Sequence, residues 1–398
     1  MKATMLVFCL SLLLVGIAPA ADSLNVRFVG AGGTPGKARR VVVSGDFAFV
    51  ADDSAGLRVI SVADPAHPVE VGHCDTPDDA YGVAVSRDYA YVADNDSGLR
   101  VISVADPAHP VEVGYCDTPG EAEGVAIAAS YAYVADGNSG LRVISVADPA
   151  HPVEVGYCDM RDAARGVAVA GSYAYVADFM ALRVISVSDP THPTEVGSWD
   201  NRDWALDVAV SGDYAYVADH LGGLAIISIA DPTHPVEVAW YFTGGYANGV
   251  AVSGGLAHVA DGYDGLRVIS VSNPTNPVEV GYYKTTPDNA HGVAVNGGYI
   301  YVTDLDSGLE IYEFYGTGVE EKPSVEIQMP NAATIVRNVL FLAERPSSST
   351  SSLLDIGGRK VLDLRSGAND VRALAPGVYF VRLETPGSTD VKKAVVTR

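Results

Sequence analysis

Gly56–Gly72, Gly98–Gly114 and Gly140–Gly156 each read GLRVISVADPAHPVEVG, at a spacing of 42 residues. Variants of the phrase begin near Ala181, Gly223, Gly265 and Gly308, so the period runs through seven units. A second marker keeps the same beat, because a VAD or VTD triplet ends at Asp52, Asp94, Asp136, Asp178, Asp219, Asp261 and Asp304. Each unit holds four short β-type runs separated by turn residues, which in the second unit are Gly82–Ser86, Tyr89–Asp94, Leu99–Val104 and Val111–Cys116. The first run is small and apolar throughout, as the crowded centre of a radial array requires. The third alternates, with Leu99, Val101 and Ser103 on one face and Arg100, Ile102 and Val104 on the other.

Four strands per repeat at a period of about 40 to 45 residues is the pattern of a β-propeller; helical solenoids need helix-length apolar periodicity instead. The last unit supplies three strands, Gly292–Asn296, Tyr299–Asp304 and Leu309–Phe314, and no counterpart of PVEVG. That counterpart stands at the other end of the chain, in Leu24–Gly30 before the first unit. Pairing it with Leu309–Phe314 would complete the last blade and remove an open edge. The expected fold is therefore all-β: a seven-bladed β-propeller over residues 24–315, closed by an N-terminal strand and followed by a small Ig-like β-sandwich.

The repeat, with its Leu-x-Val-Ile core followed by Asp-Pro, resembles the LVIVD repeat family over all seven units. The resemblance implies a β-propeller and an exported or surface location, and it implies no particular reaction. One departure is visible: the acidic residue usual after the third-strand core is Ser61, Ser103, Ser145, Ser186, Ser228 and Ser270 in this chain.

Composition agrees with a large folded core, at 48% hydrophobic and 19% charged residues. The formal charge of −23 repels phosphate backbones, which argues against nucleic acid as a partner. Residues 1–20 read as a secretory signal peptide, with basic Lys2, an apolar run from Met5 to Ala18 and a small-residue exit at Ala18-Pro19-Ala20. That apolar run falls short of the ~20 residues of a membrane span, so no span is expected after cleavage. The mature protein is expected to be secreted or on the cell surface, exported through the periplasm.

From Gly316 to Thr334 the repeat gives way to a linker, and the charge balance changes with it. Residues 24–315 carry 14 basic and 39 acidic side chains, whereas residues 316–398 carry 11 and 9. Strands are expected at Ile335–Leu342, Ser352–Ile356, Lys360–Leu364, Val378–Leu383 and Val391–Thr397. Gly358-Arg359, Gly377–Phe380 and the basic end Lys392–Arg398 resemble the sorting domain of the type IX secretion pathway, which implies secretion machinery as a partner. The usual Pro-Asn-Pro entry is only Pro330-Asn331-Ala332, and a PSSSTSS run occupies Pro346–Ser352.

Polar residues abound, but nearly all belong to the repeat. Asp94-Asn95-Asp96 and Asp304-Leu305-Asp306 resemble the start of a calcium loop, yet no Glu stands at the twelfth position. A hairpin turn whose Asp bonds nearby backbone amides accounts for the series. His67, His109, His151, His192 and His234 each precede proline, one per blade, and groups a blade apart cannot share a metal. Cys74, Cys116 and Cys158 hold one position of the fourth strand, about 20 Å apart, too far for disulfides. They are expected as buried thiols in slots that Trp199, Tyr241 and Tyr283 fill elsewhere. No cofactor or metal site and no catalytic residue is assigned.

Information lies where the repeat breaks. The residue before the first-strand glycine, near the channel mouth, is Tyr81, Glu123, Arg165, Leu206 (there before Asp207), Asn248 and His291 in successive units. Unit four has a second hairpin one residue shorter, with Phe179 and Met180 replacing polar turn residues, and the following loop carries Trp204. Phe179, Met180, Trp204, Tyr246 and Tyr263, with Arg165 nearby, form a candidate ligand-binding surface for an extracellular protein or carbohydrate. Mutual packing of Phe179 and Trp204 would account for two of them without a ligand. Catalysis is the alternative, as a hydrolase or lyase using Glu123, Arg165 and His291 at the mouth.

Overall fold

The computed structural model describes residues 23–284 and 289–316, and in the tail residues 334–336, 339–342, 350–354, 359–364, 367–370, 374, 377–385 and 388–396. The stretch 1–20 expected to be a signal peptide, most of the expected linker, Pro330-Asn331-Ala332 and Gly358 lie outside the described residues. The chain divides into two units, residues 1–320 and 321–398.

In the first unit each repeat becomes one antiparallel sheet, and seven sheets form a β-propeller. The first blade runs Arg40–Ser44, Phe47–Ala51, Leu57–Ser61 and Val69–Cys74 from the centre outward, and the others follow the same order. The second and third strands are buried almost end to end, because each blade is covered by a neighbour on both faces. The core is accordingly split into layers between successive blades, such as Phe49, Leu57 and Val59 against Val83, Val92 and Ile102. Leu57, Leu99 and Leu141 are fully buried, each stabilising its layer by about 1.5–3 kcal/mol. One layer joins the two ends of the repeat array, with Tyr301, Leu309 and Ile311 of blade seven against Val41, Val50 and Ile60 of blade one.

Blade seven takes its outer strand from the start of the chain. Val26–Gly32 pairs antiparallel with Gly308–Phe314, through Val26↔Phe314, Phe28↔Tyr312 and Gly32↔Leu309. The expected strand began at Leu24; instead Ser23 and Leu24 pair with Tyr283 and Tyr282 at the edge of blade six. Asn25 makes the break, with φ at 53° and its amide donating to the Val280 carbonyl at 2.7 Å. A Cβ on Gly72, in the outer strand of blade one, would lie 2.3 Å from the Pro107 carbonyl of the next blade. Gly30 meets Pro65 of blade one in the same way, at 2.4 Å, so Val26–Gly32 docks as the other outer strands do.

Blade four departs from the pattern. Its second and third strands merge into Tyr173–Ser186, bent at Phe179 (φ 47°), and its outer strand extends over Thr194–Ala205. In the second unit the expected strand Ile335–Leu342 is two strands in different sheets. A five-stranded sheet runs Thr334–Val336, Ser388–Val396, Gly377–Thr385, Thr350–Leu354, Lys360–Leu364, the first pair parallel. Val339–Leu342 pairs instead with Gly367–Asp370, a strand that the sequence pattern does not announce.

Candidate functional site

Loops after the second strand of one blade bridge the loop entering the next, as in Asp53↔Ala80, Asn95↔Ala122 and His220↔Ala247. Both loop types therefore share one face. At its centre the slot residues Tyr81, Glu123, Arg165, Leu206, Asn248 and His291 all line one cavity of about 120 Å³. Arg39 and Arg40 line it too, and the sequence reading omitted them. Aligning Ala38-Arg39-Arg40-Val41 with Ala80-Tyr81-Gly82-Val83 would have revealed both: Arg39 fills the slot of blade one and Arg40 the glycine position after it.

Blades one and five lack that glycine, carrying Arg40 and Asp207 instead. The two side chains meet across the channel at 2.5 Å, and Arg40 also donates to the Leu206 carbonyl at 3.1 Å. Beneath them the channel holds a second cavity of about 330 Å³, walled by the first strands. Around the mouth, Glu123 pairs with Arg165, and Arg39 pairs with Asp53 at 2.6 Å while lying over the Tyr81 ring at 4.1 Å. Burial raises the Glu123 carboxyl above its ordinary range against the pull of Arg165. Burial, reinforced by Arg40 and Arg39, holds His291 down at about 3. Its Nδ1 donates to the Arg39 carbonyl at 3.1 Å, leaving a neutral ring whose Nε2 is an acceptor.

The aromatic candidates form one row. Phe179 stacks on Trp204 with centroids 5.0 Å apart, Trp204 on His220 at 4.8 Å, and His220 on Tyr246 at 4.8 Å. Tyr263 closes the row edge-on to Tyr246 at 6.3 Å, and the Arg165 guanidinium covers Phe179 at 5.8 Å. His220 was not anticipated; it occupies the loop position of Phe179 one blade on, held by Asp203 at 3.0 Å. Both faces of Trp204 are covered, so that ring presents its edge rather than an open face. Trp204 remains 43% exposed and Tyr263 60%, with Met180 and Leu221 exposed beside them.

The repeated polar residues are structural, though not all as expected. In blades one to six the buried Asp binds the loop 16 to 18 residues upstream, as Asp136 accepts from the Thr118 hydroxyl and the Gly120 amide and Asp261 from Thr243 and Gly245, whereas Asp304 of blade seven accepts from the Asp306 amide of its own hairpin at 3.2 Å. The third-strand arginine pairs with the same carboxylate, as in Arg183–Asp178 at 2.8 Å. Burial raises Asp94 and Asp261 to about 6. Each His-Pro histidine contacts the Asp of its own turn, as His67 does Asp64 at 2.9 Å. Cys74, Cys116 and Cys158 are half-buried rather than buried, opposite Leu57, Leu99 and Leu141, because outer strands have one open side. Among the described residues no three His, Cys, Asp or Glu side chains gather to hold a metal ion. No helix among them is long and apolar enough to cross a membrane.

Among solved structures, the chain is similar to the computationally designed Ika8 protein (7% identity, covering 72% of this chain and 99% of that one, TM-score 0.54). The Cps50 (Swd1) β-propeller domain of Myceliophteria thermophila is similar at 10% identity, 72% and 99% coverage and a TM-score of 0.59. The WD40 β-propeller domain of Doa1 is similar at 13% identity, 73% and 97% coverage and a TM-score of 0.58. At such identities these structures share the fold alone. No curated protein matches the chain in sequence. The LVIVD repeat matches residues 35–76, 77–118, 119–160, 162–201, 204–243, 244–285 and 287–312, and the chain belongs to the LVIVD repeat family.

Proposed function

We propose that this protein is an exported, non-catalytic propeller that binds a polypeptide partner along the ridge over blades four to six. The observation that carries this reading is the row Phe179–Trp204–His220–Tyr246–Tyr263. Large apolar edges gathered on one face mark interaction surfaces, and Trp and Tyr dominate binding at such surfaces. A carbohydrate is less well served, because sugar rings stack on open aromatic faces and both faces of Trp204 are occupied. The acidic propeller would steer a basic partner toward itself.

Catalysis at the mouth is less well supported. Glu123, Arg165 and His291 do share a cavity, so separation does not exclude them. Glu123 is bound to Arg165, however, and a histidine held near 3 is a poor base at neutral pH. The cavity also falls below the ~300 Å³ of usual small-molecule sites. In this reading Val26–Gly32 is the clasp of the ring, residues 1–20 direct export, and residues 335–398 form an Ig-like sandwich recognised by type IX secretion machinery.

The test pans a random peptide library on the mature chain and on Met180→Lys and Leu221→Lys variants. Enrichment of basic peptides that lose both variants supports the ridge. Binders indifferent to every ridge substitution would overturn it. For the export reading, truncation after Ala333 should leave a folded propeller in the periplasm of the native host; normal surface delivery would remove the sorting assignment.

A further inference from the structure

Among the described residues, every interblade layer but one takes two aromatic rings from a second strand, as from Tyr89 and Tyr91 between blades two and three or Tyr299 and Tyr301 between blades seven and one. The exception lies between blades six and seven, where the same two positions hold Leu256 and His258. A cavity of about 380 Å³ stands in that layer, walled by Leu256 and His258 from blade six and by Val295, Ile300 and Phe314 from blade seven. Close-packed interiors leave few voids larger than a water molecule, and this one falls within the ~300–1,000 Å³ of usual small-molecule sites.

The facing blade does not make good the missing rings. Blade seven carries Tyr312 and Phe314 where blade three has Ile144 and Val146. Tyr312, however, packs on Phe28 and Tyr283 of the outer strands, with centroids 5.8 and 4.9 Å away, and Phe314 is a wall of the cavity. The layer is also uncovered at this end. In blades one to four the outer-strand glycine meets a proline carbonyl from the third-to-fourth loop of the next blade, as Gly72 meets Pro107. Gly281 meets Leu24 and Phe314 instead, because blade seven takes its outer strand from the start of the chain and has no such loop. The cavity opens beside the exposed Gly297-Gly298 hairpin, on the face opposite the ridge and the mouth.

None of the described lining residues is charged at neutral pH, because burial holds His258 down at about 4. An ammonium or carboxylate would therefore be buried there without a counterion. The inner walls are apolar, and Ser253 and Asn296 add polar groups to the lining. An apolar cavity left by a lost side chain takes up a small ring, as an engineered cavity of about 150 Å³ admits benzene. By the pattern of the other blades, the group lost here is the phenol of tyrosine.

We propose that the crevice between blades six and seven binds a neutral phenol, its ring against Leu256, Ile300 and Phe314 and its hydroxyl beside Ser253 and Asn296. The phenol can arrive as a small free molecule or as the tyrosine side chain of a polypeptide. No residue of the ridge or of the mouth takes part.

The experiment titrates the mature full-length protein with p-cresol, 4-methylcyclohexanol and 4-hydroxybenzoate at neutral pH. It follows the His258 Cε1–H resonance, assigned by its loss in His258→Tyr, and measures affinity by calorimetry. p-Cresol should shift the resonance saturably in the millimolar range appropriate to so small a ligand, with the saturated ring and the carboxylate at least tenfold weaker. Leu256→Tyr with His258→Tyr, which restores both rings of the repeat, should weaken p-cresol at least tenfold, whereas Trp204→Ala should leave it unchanged. Binding of p-cresol but not of Gly-Tyr-Gly assigns a free phenol, and binding of both assigns a polypeptide side chain. No saturable shift, or equal affinities for the first three probes, overturns the proposal. That comparison needs only the wild-type affinities, so it stands even if the double variant fails to fold.

Discussion

Blades one to three and blades four to six use the same repeat to different ends. In the first group the second-to-third loop is short and polar, and the buried Asp takes a hydroxyl or amide from the incoming loop, as Asp52 does from Thr34 and Gly36. In the second group that loop carries Phe179, His220 or Tyr263, and Asn201 replaces threonine as the donor to Asp219. The buried layers hardly differ between the groups. Repetition therefore holds the ring together, and departures from it build the surface. A binding face can change blade by blade without cost to the core because the loops lie outside the interblade layers.

The comparison breaks most severely where the ring itself is opened. Deleting Asp22–Gly32 exposes the edge of Gly308–Phe314 and uncovers Tyr312, so the truncated chain is expected to aggregate or lose cooperative unfolding. Calorimetry showing an unchanged melting temperature would refute the clasp. A smaller effect, about 3 kcal/mol or more, is expected from Gly72→Val, which drives a side chain into the Pro107 carbonyl. Denaturant titration measures it, and a neutral result would show that the blades can separate freely.

Next comes a pH effect that can be read at His258 of blade six. His258 stands where other blades carry Phe49, Tyr91, Tyr133, Tyr175, Tyr216 or Tyr301, and burial lowers it to about 4. The unfolded chain takes up this proton below about 6.5 and the folded protein does not, so stability is lost as pH falls from there toward 4. Between pH 7 and 5 the loss is about 2 kcal/mol. Asp94 and Asp261, raised to about 6, act in the opposite sense: their contribution is full below the unfolded value near 3.8 and is lost as pH rises through 6. Their effect cancels when wild type is compared with His258→Tyr, which should gain about 2 kcal/mol on its parent at pH 5 relative to pH 7. Parallel pH profiles would show that His258 is solvated.

The smallest stability effect belongs to the ridge. Phe179→Ala with Trp204→Ala removes stacked pairs worth about 0.5–1.5 kcal/mol each and should abolish binding of the selected peptides with the fold retained. A stability loss large enough to explain the binding loss would make the row a packing device for the shortened hairpin.

The sequence by itself determined the period, the four strands of each repeat, and the units at which the pattern fails, because strand alternation and turn residues are local properties. It also located most of the mouth slot, since Tyr81, Glu123, Arg165, Leu206, Asn248 and His291 share one place in the repeat. Tertiary structure decided what those positions meet. Arg40 and Asp207 are 167 residues apart, and only a ring that sets blade one opposite blade five turns two broken glycine positions into an ion pair across the channel. His220 joins the aromatic row because neighbouring loops lie side by side. The buried aspartates of blades one to six bind upstream loops, because burial leaves a carboxylate no water and the incoming loop offers near donors.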